Sequence, residues 1–212
     1  MASSQDPIFG RLSGKIGPVV TYVSNGKQVI RSHVIPKDPK TPKQLAHRMK
    51  VGLINKGFSP LNNIIKLGFK NSEKTYRKLV GEAYHSTIIG EYPNLTLDYS
   101  KVQVAEGDVQ SPVDVTVEIS TDDSTDINTA HFNWEKQISV SSQMGRNDDQ
   151  VNVVCLNQAE LYAVNSLNTA PRIAGKASFA IPKGWKIEDI HFWIFLSTSD
   201  LQFNSNSIYV TK

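Results

Sequence analysis

The residues that could carry chemistry are one cysteine and five histidines, and they form no recognisable catalytic or metal-binding set. Cys155 lies inside the apolar run from Val151 to Leu156, where a buried strand residue is expected rather than a nucleophile. The histidines show neither an i, i+4 pair nor a neighbouring cysteine, the spacings that zinc sites use. They are His33, His47, His85, His131 and His191. We therefore expect no enzyme activity, no metal and no other cofactor.

Two short motifs resemble ligand-binding loops but lack residues that such loops need. The segment from Gly10 to Gly17 has three residues between its first two glycines and an Ile after Lys15, whereas a phosphate-binding P-loop has four and a Ser or Thr. Polar residues alternate from Asp122 to Asn128 as in a calcium loop, but the bend glycine and the final Glu are absent. The sequence favours a glycine turn and a polar interstrand loop.

Length and composition indicate a chain with enough apolar residues for two small cores. It has 212 residues, 39% of them hydrophobic, including three tryptophans. No run of about 18 apolar residues predicts a membrane span, and residues 1–10 lack the basic and apolar segments of a signal peptide. A single cysteine excludes a disulfide framework. We expect a protein synthesised in the cytoplasm, without membrane attachment.

The first part of the chain predicts a β-hairpin followed by helices. Two β-type runs flank Asn25-Gly26, a pair that readily adopts the positive φ angles of a type I′ turn. A helix is predicted to begin at Thr41-Pro42, because Thr can cap free amide groups and Pro suits the first helical position. Further helices are expected after Ser59-Pro60 and after Ser72.

From about Asn94 the apolar pattern changes to the two-residue alternation of half-buried strands. Strands are predicted at residues 113–119, 130–134, 151–156, 177–181, 190–196 and 207–210. About seven short strands in this length fit an immunoglobulin-like or fibronectin-like sandwich without its disulfide. We expect Trp134 and Trp193 to be core residues and Trp185 to lie in a turn.

The predicted fold is thus an α+β amino-terminal module, a β-hairpin plus helices, followed by an all-β immunoglobulin/fibronectin-like sandwich. Because the periodicity changes abruptly, we place the boundary between residues 93 and 94. Residues 1–93 then form a basic hairpin-helix module. Residues 94–212 form the sandwich, which is expected to fold alone.

The net charge of the chain also changes sign near the predicted domain boundary. Residues 1–100 contain 15 Lys or Arg and 6 Asp or Glu, a net +9, whereas the remainder contains 8 and 14, a net −6. A basic segment of this density predicts an anionic partner surface. The predicted partner-binding residues are Lys15, Lys27, Arg31, Lys43, Arg48 and Lys50.

Three interpretations of the basic segment remain open at this point. The cations could dock on an acidic protein, or they could neutralise nucleic-acid phosphates while Tyr22 offers an aromatic face. They could also form a simple solvated surface. No recognised nucleic-acid motif accompanies the charge, which favours protein docking.

Several short segments resemble an uncharacterised Bacteroidota protein family. They are Ile8-Phe9-Gly10, Ser13-Gly14-Lys15-Ile16-Gly17, Gly26-Lys27, Ile30-Arg31-Ser32, the run from Thr41 to Arg48, and, near the end, Ala170-Pro171-Arg172, His191-Phe192-Trp193 and Ser205-Asn206-Ser207-Ile208-Tyr209. The amino-terminal layout is also similar to small structural-module proteins of tailed phages. The resemblance implies a fold and a location among phage structural genes, and it implies no particular reaction.

We therefore expect a non-enzymatic structural or assembly protein, a phage virion or mobile-element component that acts through protein docking or self-assembly. The alternative is a cytosolic nucleic-acid-binding protein that uses its basic amino-terminal half. No small-molecule substrate is expected.

Overall fold

The computed structural model describes residues 2–4, 12–70, 76–122, 127–136 and 145–212, and the chain divides into two compact units, residues 1–41 and 42–212. The first unit is a four-stranded antiparallel sheet in the order β1-β4-β3-β2. Its strands are β1 (Ala2–Ser4), β2 (Gly14–Ile16), β3 (Val19–Ser24) and β4 (Lys27–Ser32).

Two tight turns connect the last three strands of this sheet. Asn25 and Gly26 have φ angles of 50° and 76°, so the predicted type I′ hairpin between β3 and β4 is confirmed. Gly17, with φ of 57°, and Pro18 connect β2 to β3. Glycine in the first central position with a positive φ, followed by a proline, is the pattern of a type II′ turn, whose twist suits a hairpin.

The second unit begins with the predicted helices. Helix α1 (Pro42–Phe58) starts with Pro42 in its first turn, as expected, and a 3-10 turn over Ser59–Leu61 leads into α2 (Asn62–Gly68). Helix α3 (Tyr76–Ser86) follows. The predicted start of this third helix near Ser72 lies outside the described residues.

Nine strands follow in the described part of the second unit. A small hairpin, β5 (Ile88–Ile89) and β6 (Thr96–Leu97), precedes two larger antiparallel sheets. Those sheets comprise β7 (Val113–Asp122), β8 (Ile127–Glu135), β9 (Gln150–Asn157), β10 (Tyr162–Pro171), β11 (Lys176–Ala180), β12 (Ile190–Ser197) and β13 (Ile208–Val210). One sheet has the order β11-β8-β7 and the other β10-β9-β12-β13.

A core fills the space between the two larger sheets. Phe132 on β8 meets Phe192 on β12 edge to face, with 5.4 Å between ring centroids. Trp134 is buried in this core, as predicted, and its indole N–H donates to the Arg172 carbonyl at 2.8 Å. Trp185 follows the turn that begins at Pro182, as expected, but its side chain is also buried here. The sandwich core is therefore aromatic and continuous across both sheets.

A second core lies on the other face of the β10-β9-β12-β13 sheet, where the helices pack. Trp193 is fully buried in it, as predicted, and donates its indole N–H to the Val102 carbonyl at 2.8 Å. Contributors from the sheet are Val154, Leu156, Trp193 and Phe195, and contributors from the helical region include Ile54, Phe58, Leu61, Ile64, Ile65, Phe69, Leu79 and Ala83. Strands covered on both faces have no polar side to alternate with, which explains the nearly unbroken apolar runs of β9 and β12.

This shared core bears on the predicted division of the chain. The helices and the strands belong to one compact unit that starts at Pro42, whereas the sequence places a boundary between residues 93 and 94. The physical reason is that the change of periodicity marks a change of secondary structure, not the end of a core. Independent folding of residues 94–212 stays a prediction.

The general architecture agrees with the sequence: a short helical region is followed by antiparallel strands in several sheets. The pattern did not predict β10. This strand carries mixed polar residues, and its register shifts between Ser166 and Ala170 around Asn168, which has a φ of 53°. A bulged edge strand loses the alternation on which the prediction depends.

A buried ion pair joins the turn before β9 to the segment after β10. Arg172 Nη2 lies 3.1 Å from Asp149 Oδ2, and both side chains are almost entirely buried. The same guanidinium donates to the Gln110 carbonyl at 2.6 Å. Because Trp134 donates to the Arg172 carbonyl, the pair also fixes the edge of the sandwich core.

Candidate docking surface

The strands of the first unit place their cations on one face. Side chains alternate along a strand, and residues opposite each other in register share a face. Val20 lies between Lys15 and Arg31, Tyr22 lies opposite Val29, and Ser24 lies opposite Lys27. We call this side the cationic face: Lys15, Val20, Tyr22, Ser24, Lys27, Val29 and Arg31. Its three cations are exposed and surround a half-buried tyrosine.

The other side of the same strands has no Lys, Arg, Asp or Glu at any position that the structure describes. We call it the uncharged face: Gly14, Ile16, Val19, Thr21, Val23, Gln28, Ile30 and Ser32. Three of its apolar side chains are substantially accessible, with exposed fractions of 55% for Ile16, 40% for Val23 and 40% for Ile30. The sheet is therefore amphipathic, with one charged face and one uncharged face.

A glutamine ties the chain before β2 to the uncharged face. Gln28 Nε2 donates to the Leu12 carbonyl at 2.7 Å, and the Leu12 N–H donates to Gln28 Oε1 at 3.0 Å. Both polar groups of the amide are thus satisfied, which explains how this side chain can be buried. The bonds fix the approach to β2 and hold the edge strand in place.

The first unit has a small core of its own. Among its described residues, Val29 is the one buried hydrophobic side chain, accompanied by the buried polar residues Thr21 and Gln28. The chain's single cysteine, Cys155, lies in the second unit, and the described residues contain no group of three metal-ligating side chains. Units of about 40 residues usually depend on disulfides, metals or association for stability.

Helix α1 carries the other predicted partner-binding residues. Lys43 and Lys50 are seven residues apart and so lie on the same side of the helix. Lys50 Nζ lies 5.3 Å from the ring centroid of Tyr84 on α3, and His47 Nδ1 lies 3.0 Å from Tyr84 Oη. Arg48 projects from a different side of α1. The contact with Tyr84 gives Lys50 a fixed position that a solvated lysine would lack.

The structure thus sorts the six predicted residues into three groups. Lys15, Lys27 and Arg31 share the cationic face in the first unit, Lys43 and Lys50 share one side of α1 in the second, and Arg48 projects from another side of α1. Their binding role stays a prediction. The alternation of side chains along β2, β3 and β4 was sufficient to place the strand cations on one face, although they were selected from the sequence only by the density of Lys and Arg.

An aromatic cluster around His191 was missed by the sequence analysis. The His191 ring lies 4.6 Å from the Tyr99 ring between centroids, and His191 Nδ1 and Nε2 lie 2.9 Å and 3.1 Å from Tyr209 Oη and Gln158 Oε1. Burial, together with the nearby positive charge of Lys212, lowers the pKa of His191 to about 4. A cavity of about 200 Å³ opens beside Tyr99 and Gln158. These residues are distant in sequence, so no local motif predicts the cluster.

The cysteine behaves as the sequence predicted. Cys155 is fully buried on β9, and this burial raises the pKa of its thiol to about 12. A thiol with that pKa stays protonated at neutral pH and is a weak nucleophile. Cys155 therefore packs as a small apolar residue within the sandwich core.

Comparison with known protein families finds one family that matches most of the chain. A family of unknown function, DUF6266, matches residues 11–211, which cover most of both compact units. The chain belongs to the DUF6266 family. This confirms the resemblance to an uncharacterised family, and the match extends from the approach to β2 through β13. No curated protein and no solved structure matches the chain. Within the described part of this DUF6266 protein, no helix is long and apolar enough to cross a membrane.

Proposed function

We propose that this protein is a non-enzymatic assembly protein that docks on an acidic protein surface through its cationic face. The observation that carries the proposal is the segregation of Lys15, Lys27 and Arg31 around Tyr22 on one side of a sheet with a small core. Tyr22 and Arg31 are of residue types enriched at protein interfaces, and the charges of Lys15 and Lys27 would steer association with an acidic surface.

For the second unit, we propose an immunoglobulin-like or fibronectin-like sandwich. The support for this assignment is the strand arrangement: three strands in the order β11-β8-β7 face four in the order β10-β9-β12-β13. Sequential strands exchange between two antiparallel sheets in this way in such sandwiches. The helices then cover a sheet face that these domains commonly leave to solvent or to partners.

As the setting, we propose a virion or mobile element associated with Bacteroidota. The support is the amino-terminal layout from Ser13 to Arg48, which is similar to that of small tailed-phage structural proteins. The residues of that layout form β2, both hairpin turns and the start of α1. The resemblance therefore coincides with the proposed docking module.

The absence of catalysis is part of the proposal, and two side chains support it. Cys155 is buried with a pKa raised to about 12, and His191 is engaged at both ring nitrogens by Tyr209 and Gln158. Groups committed to packing and internal hydrogen bonds are poor candidates for attacking a substrate.

Site-specific cross-linking tests the docking proposal. A photoreactive amino acid replaces Tyr22, and the full chain is co-expressed with the products of its neighbouring genes; the same replacement at the exposed Tyr162 of the second unit is the control. We expect Tyr22, and not Tyr162, to cross-link to an acidic protein. The triple variant Lys15→Ala, Lys27→Ala, Arg31→Ala should abolish the cross-link. An unaffected cross-link, or equal labelling from Tyr162, would contradict docking through the cationic face.

A second candidate function is nucleic-acid binding through the same face, which the position of Tyr22 among three cations favours. If three phosphates are neutralised, affinity should fall by about 20- to 40-fold between 50 and 200 mM salt, since each contact releases roughly one counterion. Fluorescence anisotropy with labelled DNA and RNA measures this loss. The control variant removes Lys66, Lys78 and Lys186, an equal charge at exposed sites elsewhere. Sub-micromolar binding at 150 mM salt that only the cationic-face variant abolishes would select this function over protein docking.

A further inference from the structure

The cavity beside Tyr99 lies in the second unit and is lined by residues from both the helical region and the strands. Its volume is about 200 Å³. Leu53 on α1, Leu97 on β6 and Leu161 in the turn between β9 and β10 give it an apolar wall. An apolar cavity of about 150 Å³ is enough to hold one benzene molecule. This cavity can therefore hold one six-membered ring that carries a small polar group.

The hydroxyl of Tyr99 is a polar group at this cavity that lacks a partner in the described part of the chain. Tyr99 is only 6% exposed, yet its Oη makes no hydrogen bond to any described residue. A Cβ added at Gly57, which also lines the cavity, would lie 3.1 Å from Tyr99 Oη, so the hydroxyl is placed at this wall. Burial raises the pKa of Tyr99, and the hydroxyl therefore keeps its proton at neutral pH. Because buried polar groups are normally hydrogen-bonded, this donor indicates a bound acceptor.

A second donor comes from Gln158, whose side-chain orientation is fixed by His191. Gln158 Oε1 lies 3.1 Å from His191 Nε2, and since an amide oxygen can only accept, this ring nitrogen carries the proton. The pKa of His191 is lowered to about 4, so the ring is neutral at pH 7 and its Nδ1 accepts from the Tyr209 hydroxyl at 2.9 Å. The amide nitrogen of Gln158 takes no part in this network and has no acceptor among the described residues. Its N–H groups remain to donate at the cavity that Gln158 lines.

Lys56 makes the cavity positive. This lysine is exposed on α1, lines the cavity and forms no ion pair with a described residue. No Asp or Glu is among the described residues that line the cavity. Two acidic residues adjoin the lining residues in sequence, but Asp98 pairs with Lys101, and Glu160 accepts the Trp185 indole N–H at 3.0 Å. One cation and two neutral donors suit a carboxylate, whose two oxygens accept several hydrogen bonds.

We propose that this cavity binds a small monocarboxylate with an apolar body the size of a benzene ring. The carboxylate accepts from Tyr99 Oη, Gln158 Nε2 and Lys56 Nζ, while the apolar body contacts the leucine wall. Both neutral donors are held in place by His191, because the Tyr99 ring packs 4.6 Å from its ring and Gln158 is hydrogen-bonded to it. Donors that are fixed before binding lower the entropy cost of binding. The site lies in the second unit and does not rest on docking through the cationic face.

Titration of the full chain with benzoate tests the proposal, followed by nuclear magnetic resonance of the leucine methyl groups. We expect saturable shifts of the methyl signals of Leu53, Leu97 and Leu161, with a Kd of about 1 mM or lower. Benzamide has the same size and shape but no charge, and it should bind at least about threefold more weakly. The comparison separates recognition of the carboxylate from simple burial of the ring.

Two substitutions, each with a matched control, test the donors. Tyr99→Phe keeps the ring and should weaken benzoate binding about 3- to 10-fold, the effect of one hydrogen bond. Tyr84→Phe removes a hydroxyl on α3, away from the lining residues, and should leave the affinity unchanged. Lys56→Gln should bring the affinities for benzoate and benzamide together, whereas Lys66→Gln, at an exposed site on α2, should preserve their difference. Lys56 and Lys66 are both exposed, so neither substitution disturbs a core.

Three outcomes would overturn the proposal. They are the absence of saturable leucine shifts in the wild-type protein at about 10 mM benzoate, equal affinities of the wild-type protein for benzoate and benzamide, and an unchanged benzoate affinity in Tyr99→Phe. None of these measurements includes a protein or nucleic-acid partner, so failure of the proposed function leaves their outcome unaffected.

Discussion

Removing the helices provides the sharpest test of how this chain is held together. The comparison is between residues 42–212, which form one compact unit, and residues 94–212, the predicted independent sandwich. The shorter fragment loses the helical side of a core in which Ile54, Phe58 and Leu61 pack. The β10-β9-β12-β13 sheet would then present an apolar face to water.

The size of the effect follows from the side chains that lose their cover. They are Val154, Leu156, Trp193 and Phe195, each at most 2% exposed in the intact unit. Tyr99 and Val102 remain in the fragment and shield part of this face. If half of the four side chains' surface becomes exposed, the loss is about 3–6 kcal/mol, at roughly 1.5–3 kcal/mol for each fully buried apolar side chain. That is a large part of the 5–15 kcal/mol that typically stabilises a domain.

Circular dichroism with thermal and urea unfolding, supported by sedimentation, measures both fragments. We expect residues 42–212 to unfold cooperatively and residues 94–212 to melt at a much lower temperature or to aggregate through the uncovered sheet. If residues 94–212 remain monomeric and unfold with an unchanged midpoint, the second core contributes little and the reasoning from burial is refuted. The boundary drawn at residue 93 would then be the better description of the chain.

Three further predictions concern single residues of the second unit. Gly68→Ala should destabilise the protein by about 1–3 kcal/mol, because its Cβ would collide with the backbone of Val104 and Ala105. Gly52→Ala on the open side of α1 should be neutral or stabilising, and equal effects in urea unfolding would contradict the packing argument. Arg172→Met should cost about 3–5 kcal/mol by leaving the Asp149 carboxylate buried without its partner; a midpoint unchanged from wild type would show that the pair is dispensable. The pKa of His191 is lowered from 6.5 to about 4 by burial, so its contribution to stability is complete above about pH 6.5 and is lost as pH falls towards 4. Urea unfolding at several pH values should show a decline that is smaller in His191→Gln, and identical pH profiles would remove His191 as the cause.

Part of the candidate surface could be predicted and part could not. The Asn25-Gly26 turn fixes the register of β3 with β4, and register together with alternation determines that Lys27 and Arg31 share a face with Tyr22. No comparable local rule connects Tyr99 with His191, which meet only because the segment after β6 packs beside β12. Contacts between residues far apart in sequence depend on the whole fold, so the cluster around His191 left no local signal.

By itself the sequence determined the local elements of this protein: both hairpin residues at the type I′ turn, the start of α1 at Pro42 and most strands of the sandwich. Each depends on backbone preferences or on side-chain periodicity within a few residues. Only the tertiary structure decided that the helices share a core with β9 and β12. Their unbroken apolar runs are compatible with burial on both faces, but such a run does not specify which element covers the second face. That choice is made by packing, in which Trp193 and Phe195 find their partners on helices more than a hundred residues earlier in the chain.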